Sequence, residues 1–302
     1  MAELDKIVRA VTKRGIPYKT NETFKRLTTI GTGGQIALTV FPQDDRQLTW
    51  LAKMLIKNKT PHVFLGNGSN VLAGDGCYCG VVVVTKGVNR ITVEGQYVTA
   101  YCGAYTASLC TQLVKNGLTG GEFFGCLPAT VGGAIACNAG CFNQCVSQVV
   151  TSVDVLYKGR RQRLSNKQCR FKRRNSIFKN NADYVVLSAT MRFPTSTTAE
   201  VRQKLADMRK RKSETQPLGA KSAGCVLYDD KVAVSRLIDQ AGLKGFTIGG
   251  AQVSKKHAGF IINLDKATST DIYLLLEFVK NTVQEKFGVL PKTELCFVNM
   301  EN

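Results

Sequence analysis

The chain has 302 residues, with 41 Lys and Arg against 22 Asp and Glu, a formal net charge of +19 at neutral pH. Its apolar fraction of 44% and charged fraction of 21% are those of an ordinary folded protein, and the length suits two or three domains. No apolar run approaches the ~18 residues of a membrane helix, the charged N-terminus has no signal-peptide core, and the excess charge points to anionic partners.

Residues 1–20 predict a short amphipathic helix, with Leu4, Ile7, Val8 and Val11 on one face. Leu38–Phe41 reads as a strand ending at Pro42, and Asp44 or Asp45 can cap a helix running to Asn58. His62–Leu65 and Val81–Thr85 are the next strands, so this unit reads β-α-β-loop-β. Ile91–Val93 and Tyr97–Tyr101 flank Glu94-Gly95 as a hairpin. Ala107–Asn116 predicts a helix closed by Gly117. Val149–Tyr157, turning at Lys158-Gly159, and Tyr184–Phe193 complete a β-rich second unit. A polar linker at Thr195–Thr198 precedes helices over Ala199–Lys212, Val232–Ala241 and Thr268–Phe287. The last has Thr268 as its cap, Asp271 in the first turn and Gly288 at its end. The expected class is α+β in three units, 1–86, 87–197 and 198–302.

Eleven cysteines without a secretory signal read as reduced thiols in a cytoplasm. Cys137, Cys141 and Cys145 recur every fourth residue, a spacing that matches no zinc or iron–sulfur pattern. Packing is the expected role, and no metal is expected. The densest basic stretch, Lys158–Arg174, is a solvated face or a phosphate field. No zinc finger, RNP-like motif or heptad repeat supports nucleic acid as a partner.

Two glycine-rich segments carry the chemistry. Gly66-Asn67-Gly68-Ser69-Asn70 follows the strand His62–Leu65. It offers bare backbone N–H groups that can hold phosphate, or it simply makes a turn. Pro128–Ala134, followed by Asn138-Ala139-Gly140, is a second such loop. Two in one chain suggest a long, multiply phosphorylated ligand. Further segments are Thr28–Gly34, Phe171–Lys179, Lys221–Leu227, Gly249–Asn263, and a buried-looking Glu294.

In order and spacing these segments resemble the UDP-N-acetylenolpyruvoylglucosamine reductase family, in its shorter subtype, from about Thr28 to Val298. The resemblance implies a two-part FAD-binding unit of the vanillyl-alcohol-oxidase type, followed by an α+β substrate-binding domain. It implies non-covalent FAD, NADPH as hydride source, and a UDP-sugar bearing an enolpyruvyl group as substrate. It also implies a role in peptidoglycan precursor synthesis. A monomeric cytoplasmic enzyme with neither nucleic-acid nor membrane partner is expected.

By the same resemblance, the flavin loops fall on Gly66, Asn67, Gly68, Ser69 and Asn70, and on Leu127, Pro128, Ala129, Thr130, Gly132 and Gly133. Asn138 and Gly140 lie nearby. The catalytic arginine falls on Arg174, a guanidinium suited to a carboxylate that gains enolate charge. Ser176 matches the motif serine, and Glu294 the third catalytic residue. Lys256 and Arg211 are candidates for the substrate diphosphate. His257 reads as a substrate-domain residue or a structural hydrogen-bonder, and His62 as structural.

Several positions depart from the family pattern. The proton donor, usually serine, is Cys225, whose thiol has an ordinary pKa of about 8.5 and is intrinsically the better acid. Arg173 stands for a tyrosine, Cys126 and Ala129 for glycines, and Asp229 for an asparagine beside the expected diphosphate. The substitutions at Cys225 and Asp229 leave an alternative open: an FAD-linked oxidoreductase on the same scaffold with another substrate. The set Arg174, Lys256, His257 and Glu294 favours the wall precursor.

Overall fold

A computed structural model describes residues 2–300. They gather into two compact units. The first comprises the chain up to Thr20, Ala37–Asn67 and Cys79–Arg211; the second comprises Asn21–Ile36, Gly68–Tyr78 and everything from Lys212.

The first unit has two hydrophobic cores. Around one, helix Ala2–Lys13 buries Ile7 and Val11. It ends seven residues before the predicted limit, because Gly15 at φ +64° turns the chain into the short strand Tyr18–Lys19. Asp44 caps helix Asp45–Lys57, accepting from Gln47 N–H at 2.7 Å, and Leu48, Leu51 and Leu55 point inward. Strand His62–Leu65 runs parallel to Tyr78–Val84, in register from His62↔Val81 to Leu65↔Val84. Val81–Val84 is wholly buried, as expected of a parallel strand covered on both faces.

The other core lies under a five-stranded antiparallel sheet. Its order is Arg160–Ser165, Val150–Tyr157, Tyr184–Arg192, Tyr97–Tyr101 and Ile91–Glu94. Alternate residues such as Val98, Ala100, Val153 and Ala189 pack against helices Thr106–Lys115 and Val131–Ala136. Helix Thr198–Thr215 begins inside the polar stretch that predicts a linker. Leu205 packs into this second core, which carries the first unit past residue 197 to Arg211.

The second unit has a four-stranded antiparallel sheet, ordered Lys221–Cys225, Phe260–Asn263, Ala251–Val253 and Thr247–Ile248. Helices Val234–Gln240 and Ser269–Phe287 supply the core residues Val234, Ile238, Ile272, Leu275, Val279 and Val283. The long helix has the predicted ends: Thr268 and Asp271 form a reciprocal capping box, and Gly288 closes it at φ +68°. Two earlier segments join this unit. Ile30 and Leu72 enter its core, and Val71–Ala73 pairs in parallel with Cys296–Val298.

Burial pushes the Cys102 thiol up to about 12, and those of Cys110 and Cys169 up to about 11, so these three are packing residues. Among the described residues, no helix is long and apolar enough to cross a membrane. Among the same residues, no group of three or more His, Cys, Asp and Glu side chains could hold a metal ion.

Candidate active site

The first unit brings its two glycine-rich loops together. Asn67 Nδ2 donates to Pro128 O at 2.8 Å, and a Cβ on Gly66 would lie 2.1 Å from Thr130 Oγ1. The second loop is held from beneath. Thr106 donates from its hydroxyl to Leu127 O at 2.7 Å and from its backbone to Ala129 O at 3.0 Å. Nothing local marks Thr106 for this task, since it reads only as the start of a helix. The substitutions at Cys126 and Ala129 are accommodated: Cys126 is buried, and the bonds to Ala129 use its carbonyl alone.

The loop glycines differ in what they are for. Gly68 at φ +65° leaves room for Leu27 O, 2.2 Å from where its Cβ would be. Gly132 leaves room for Cys102, and Gly140 for the facing strand at Gln144 O. Gly133 has open space apart from Thr130 Oγ1 at 3.6 Å.

The residues fit an anionic dinucleotide. Among the described residues, the backbone N–H of Asn67 donates to no backbone carbonyl. Thr130 Oγ1 is buried without a hydrogen-bond partner beside Gly66. Orphaned donors of this kind are costly unless a ligand satisfies them. Gly66→Ala is therefore expected to weaken FAD binding by at least ~10-fold, about 1.4 kcal/mol, because the buried, branched Thr130 cannot swing aside. Flavin released from the purified variant on denaturation measures this; a parental flavin content would contradict it.

Downstream, the same unit builds the Arg174 turn. Lys172 and Asn175 exchange backbone bonds of 2.9 and 3.1 Å, with Arg173 and Arg174 between them. Arg174 takes φ +55°, and its Nη1 donates to Gly140 O at 2.8 Å. Ser176 is buried, and its hydroxyl donates to Ala136 O at 2.7 Å. Asn138 Nδ2 donates to Lys172 O at 2.9 Å, while its Oδ1 accepts from Ser147 N–H at 3.0 Å. Arg211 is exposed, with its guanidinium 5.0 Å from the Phe142 ring centroid.

The second unit holds Cys225 at the end of strand Lys221–Cys225, Glu294 between the short strands Lys292–Thr293 and Cys296–Val298, and His257 in the turn between Ala251–Val253 and Phe260–Asn263. Gly224, at φ +78°, lies in a bulge between the pairs Ser222↔Ile262 and Cys225↔Phe260. Bulges re-aim side chains, and a glycine inside a strand pattern is their sequence signal. Cys225 is half-buried, and the next residue, Val226, receives Glu294 N–H at 2.9 Å. Glu294, buried-looking from its apolar neighbours, is half-buried. Asn70 anchors that strand: its Nδ2 donates to Glu294 O at 2.9 Å, and its carbonyl accepts from Cys296 N–H at 2.9 Å.

Ser254 Oγ accepts from Lys256 N–H at 3.2 Å and His257 N–H at 3.4 Å, setting the Lys-His pair in a turn. Lys256 is exposed and donates from Nζ to Ser213 O at 2.5 Å. His257 Nδ1 accepts from Gly259 N–H at 3.1 Å. Burial, then the Lys244 ammonium, holds the imidazole below its ordinary range, so it is neutral at pH 7. Asp229 turns its carboxylate onto its own backbone, accepting from Lys231 N–H at 2.8 Å and Val232 N–H at 3.2 Å. These bonds, the first above all, hold its carboxyl below the usual range.

Comparison with known proteins adds to this geometry. Residues 216–298 match the C-terminal domain family of UDP-N-acetylenolpyruvoylglucosamine reductase, and residues 36–165 match the FAD binding domain family. The UDP-N-acetylenolpyruvoylglucosamine reductase of Clostridium novyi is 37% identical over 286 residues, 94% of this chain and 93% of the relative. That of Caldanaerobacter subterraneus is 36% identical over 302 residues, 99% of each chain. The crystal structure of the Thermus caldophilus UDP-N-acetylenolpyruvylglucosamine reductase superposes with a TM-score of 0.80 at 26% identity. It covers 94% of this chain and 99% of that one.

Proposed function

The chain belongs to the UDP-N-acetylenolpyruvoylglucosamine reductase family, and from that premise we propose how its own residues carry the reaction. It is an FAD-dependent oxidoreductase that reduces UDP-N-acetylglucosamine enolpyruvate in peptidoglycan precursor synthesis. Bound FAD supplies the hydride relay between NADPH and the enolpyruvyl double bond.

The Gly66–Asn70 loop and Leu127–Gly133 hold the cofactor through backbone donors and Thr130. Arg174 binds the substrate carboxylate and stabilises the enolate charge that develops there. Cys225 donates the proton that completes the reduction, and Glu294 orients the enolpyruvyl carboxyl or shares that proton. Lys256 and Arg211 supply positive charge for the diphosphate. His257, neutral and bonded to its own turn, is a scaffold residue. A cytoplasmic location and a monomeric state belong to the same proposal. Its soluble nucleotide ligands and eleven cysteines suit that setting.

The observation that carries the proposal is the convergence of both glycine-rich loops, through residues 136–140, on the turn bearing Arg174. The purified protein is expected to be yellow, and to oxidise NADPH rapidly only when UDP-N-acetylglucosamine enolpyruvate is present. A colourless protein releasing no flavin on denaturation, or NADPH oxidation indifferent to that substrate, would refute it.

A further inference from the structure

Arg174 sits in left-handed backbone, which a non-glycine residue keeps only where its surroundings over-determine it. Three tethers do so. Asn138 Nδ2 holds Lys172 O at the entrance of the turn at 2.9 Å. Gly140 O holds the guanidinium itself at 2.8 Å. Ala136 O takes the Ser176 hydroxyl at the exit at 2.7 Å. All three anchors fall within five residues, 136–140, from the last residue of helix Val131–Ala136 onward.

Asn138 differs from the other two anchors because its side chain does the work. It is 6% exposed, its own φ is +42°, and both ends of its amide are committed to backbone, Nδ2 to Lys172 O and Oδ1 to Ser147 N–H. A buried amide used at both ends is poorly placed to read a cofactor. We propose that Asn138 is a positioning residue, which fixes the turn that aims Arg174 at the substrate carboxylate. The inference rests on the reading of Arg174 given above.

The test uses the purified holoenzyme and follows two steps separately: flavin reduction by NADPH, and its reoxidation by UDP-N-acetylglucosamine enolpyruvate. Asn138→Asp keeps the side-chain shape and tolerates left-handed backbone, but turns a donor into an acceptor facing Lys172 O. Asn138→Gly also keeps that backbone and removes both bonds. Both variants should retain parental flavin content and reoxidise more slowly, by up to ~10²-fold for a displacement near 1 Å. In an Arg174→Lys background the same changes should slow reoxidation little further, since residues acting as a unit are not additive.

Parental reoxidation in both Asn138 variants, loss of flavin from them, or the same slowing in the Arg174→Lys background would overturn the proposal. Parental reoxidation by Arg174→Lys alone would overturn the role given to Arg174 and this inference with it. A parent enzyme that never reoxidises would refute the functional reading itself.

Discussion

Cys225→Ala is expected to slow reoxidation of the reduced flavin by the enolpyruvyl substrate by about 10²- to 10⁴-fold, the usual contribution of a positioned general acid. Reduction of the flavin by NADPH should continue, because the thiol takes no part in that step. Gly224 takes backbone that a side chain rarely adopts, at φ +78°, and no heavy atom lies within 4 Å of where its Cβ would be. The glycine is therefore needed for conformation, not for space, and the register shifts there before Cys225 rejoins the ladder opposite Phe260. Cys225→Ser should keep measurable turnover, since a hydroxyl occupies nearly the same place, and serine is the residue its relatives are expected to carry there. Stopped-flow reoxidation measures both variants. Parental reoxidation by Cys225→Ala would remove Cys225 from the mechanism.

Arg174→Gly should lose about 10²- to 10³-fold in the same step, the range observed when one charge-stabilising donor is removed, yet fold as stably as the parent. Two effects set the stability. Glycine relieves a left-handed conformation that disfavours an L side chain by roughly 1–2 kcal/mol. The variant also loses the guanidinium bond to Gly140 O, at 2.8 Å, a contribution of about 1 kcal/mol for a typical hydrogen bond. The sum is near zero, so the unfolding free energy from urea titration should change by less than about 1 kcal/mol. A variant both active and stable would show the guanidinium to be dispensable to the reaction and to the fold; one that unfolds would show the turn to depend on its side chain. Separating activity from stability in this way is what strain stored at a functional site predicts.

How much of this was legible depends on how local each signal is. The long C-terminal helix was readable end to end, because Thr268, Asp271 and Gly288 act within one turn of its termini. The hairpin at Glu94 and the turn at Lys158-Gly159 were readable for the same reason. The two glycine-rich loops were visible as glycine patterns, but their meeting at Gly66 and Thr130 was not, since Asn67 and Pro128 stand 61 positions apart in the bond that joins them. The polar stretch at Thr195–Thr198 resembled a linker because linkers are polar. Leu205 and Met208, apolar residues of a largely charged helix, pack into the core of the first unit and bind that region to it, and Val201 is fully buried. Asn138 and Ser176 were assigned to ligands by resemblance; their observed bonds go to backbone across 34 and 40 residues, which no periodicity encodes.

The sequence by itself determined most local elements, the two glycine-rich loops, and the set of chemical groups on offer, including a thiol at Cys225. These follow from residue type and from neighbours within a turn or a strand. Only the tertiary structure decided that segments 21–36 and 68–78 belong with the C-terminal unit. Only it decided that Asp229 turns its charge onto its own turn, and that Arg174 is held in left-handed backbone from residues 136–140. The physical reason is common to all three. Backbone groups must be satisfied wherever the chain brings them. Their partners are chosen by long-range packing, which a linear pattern of side chains does not record.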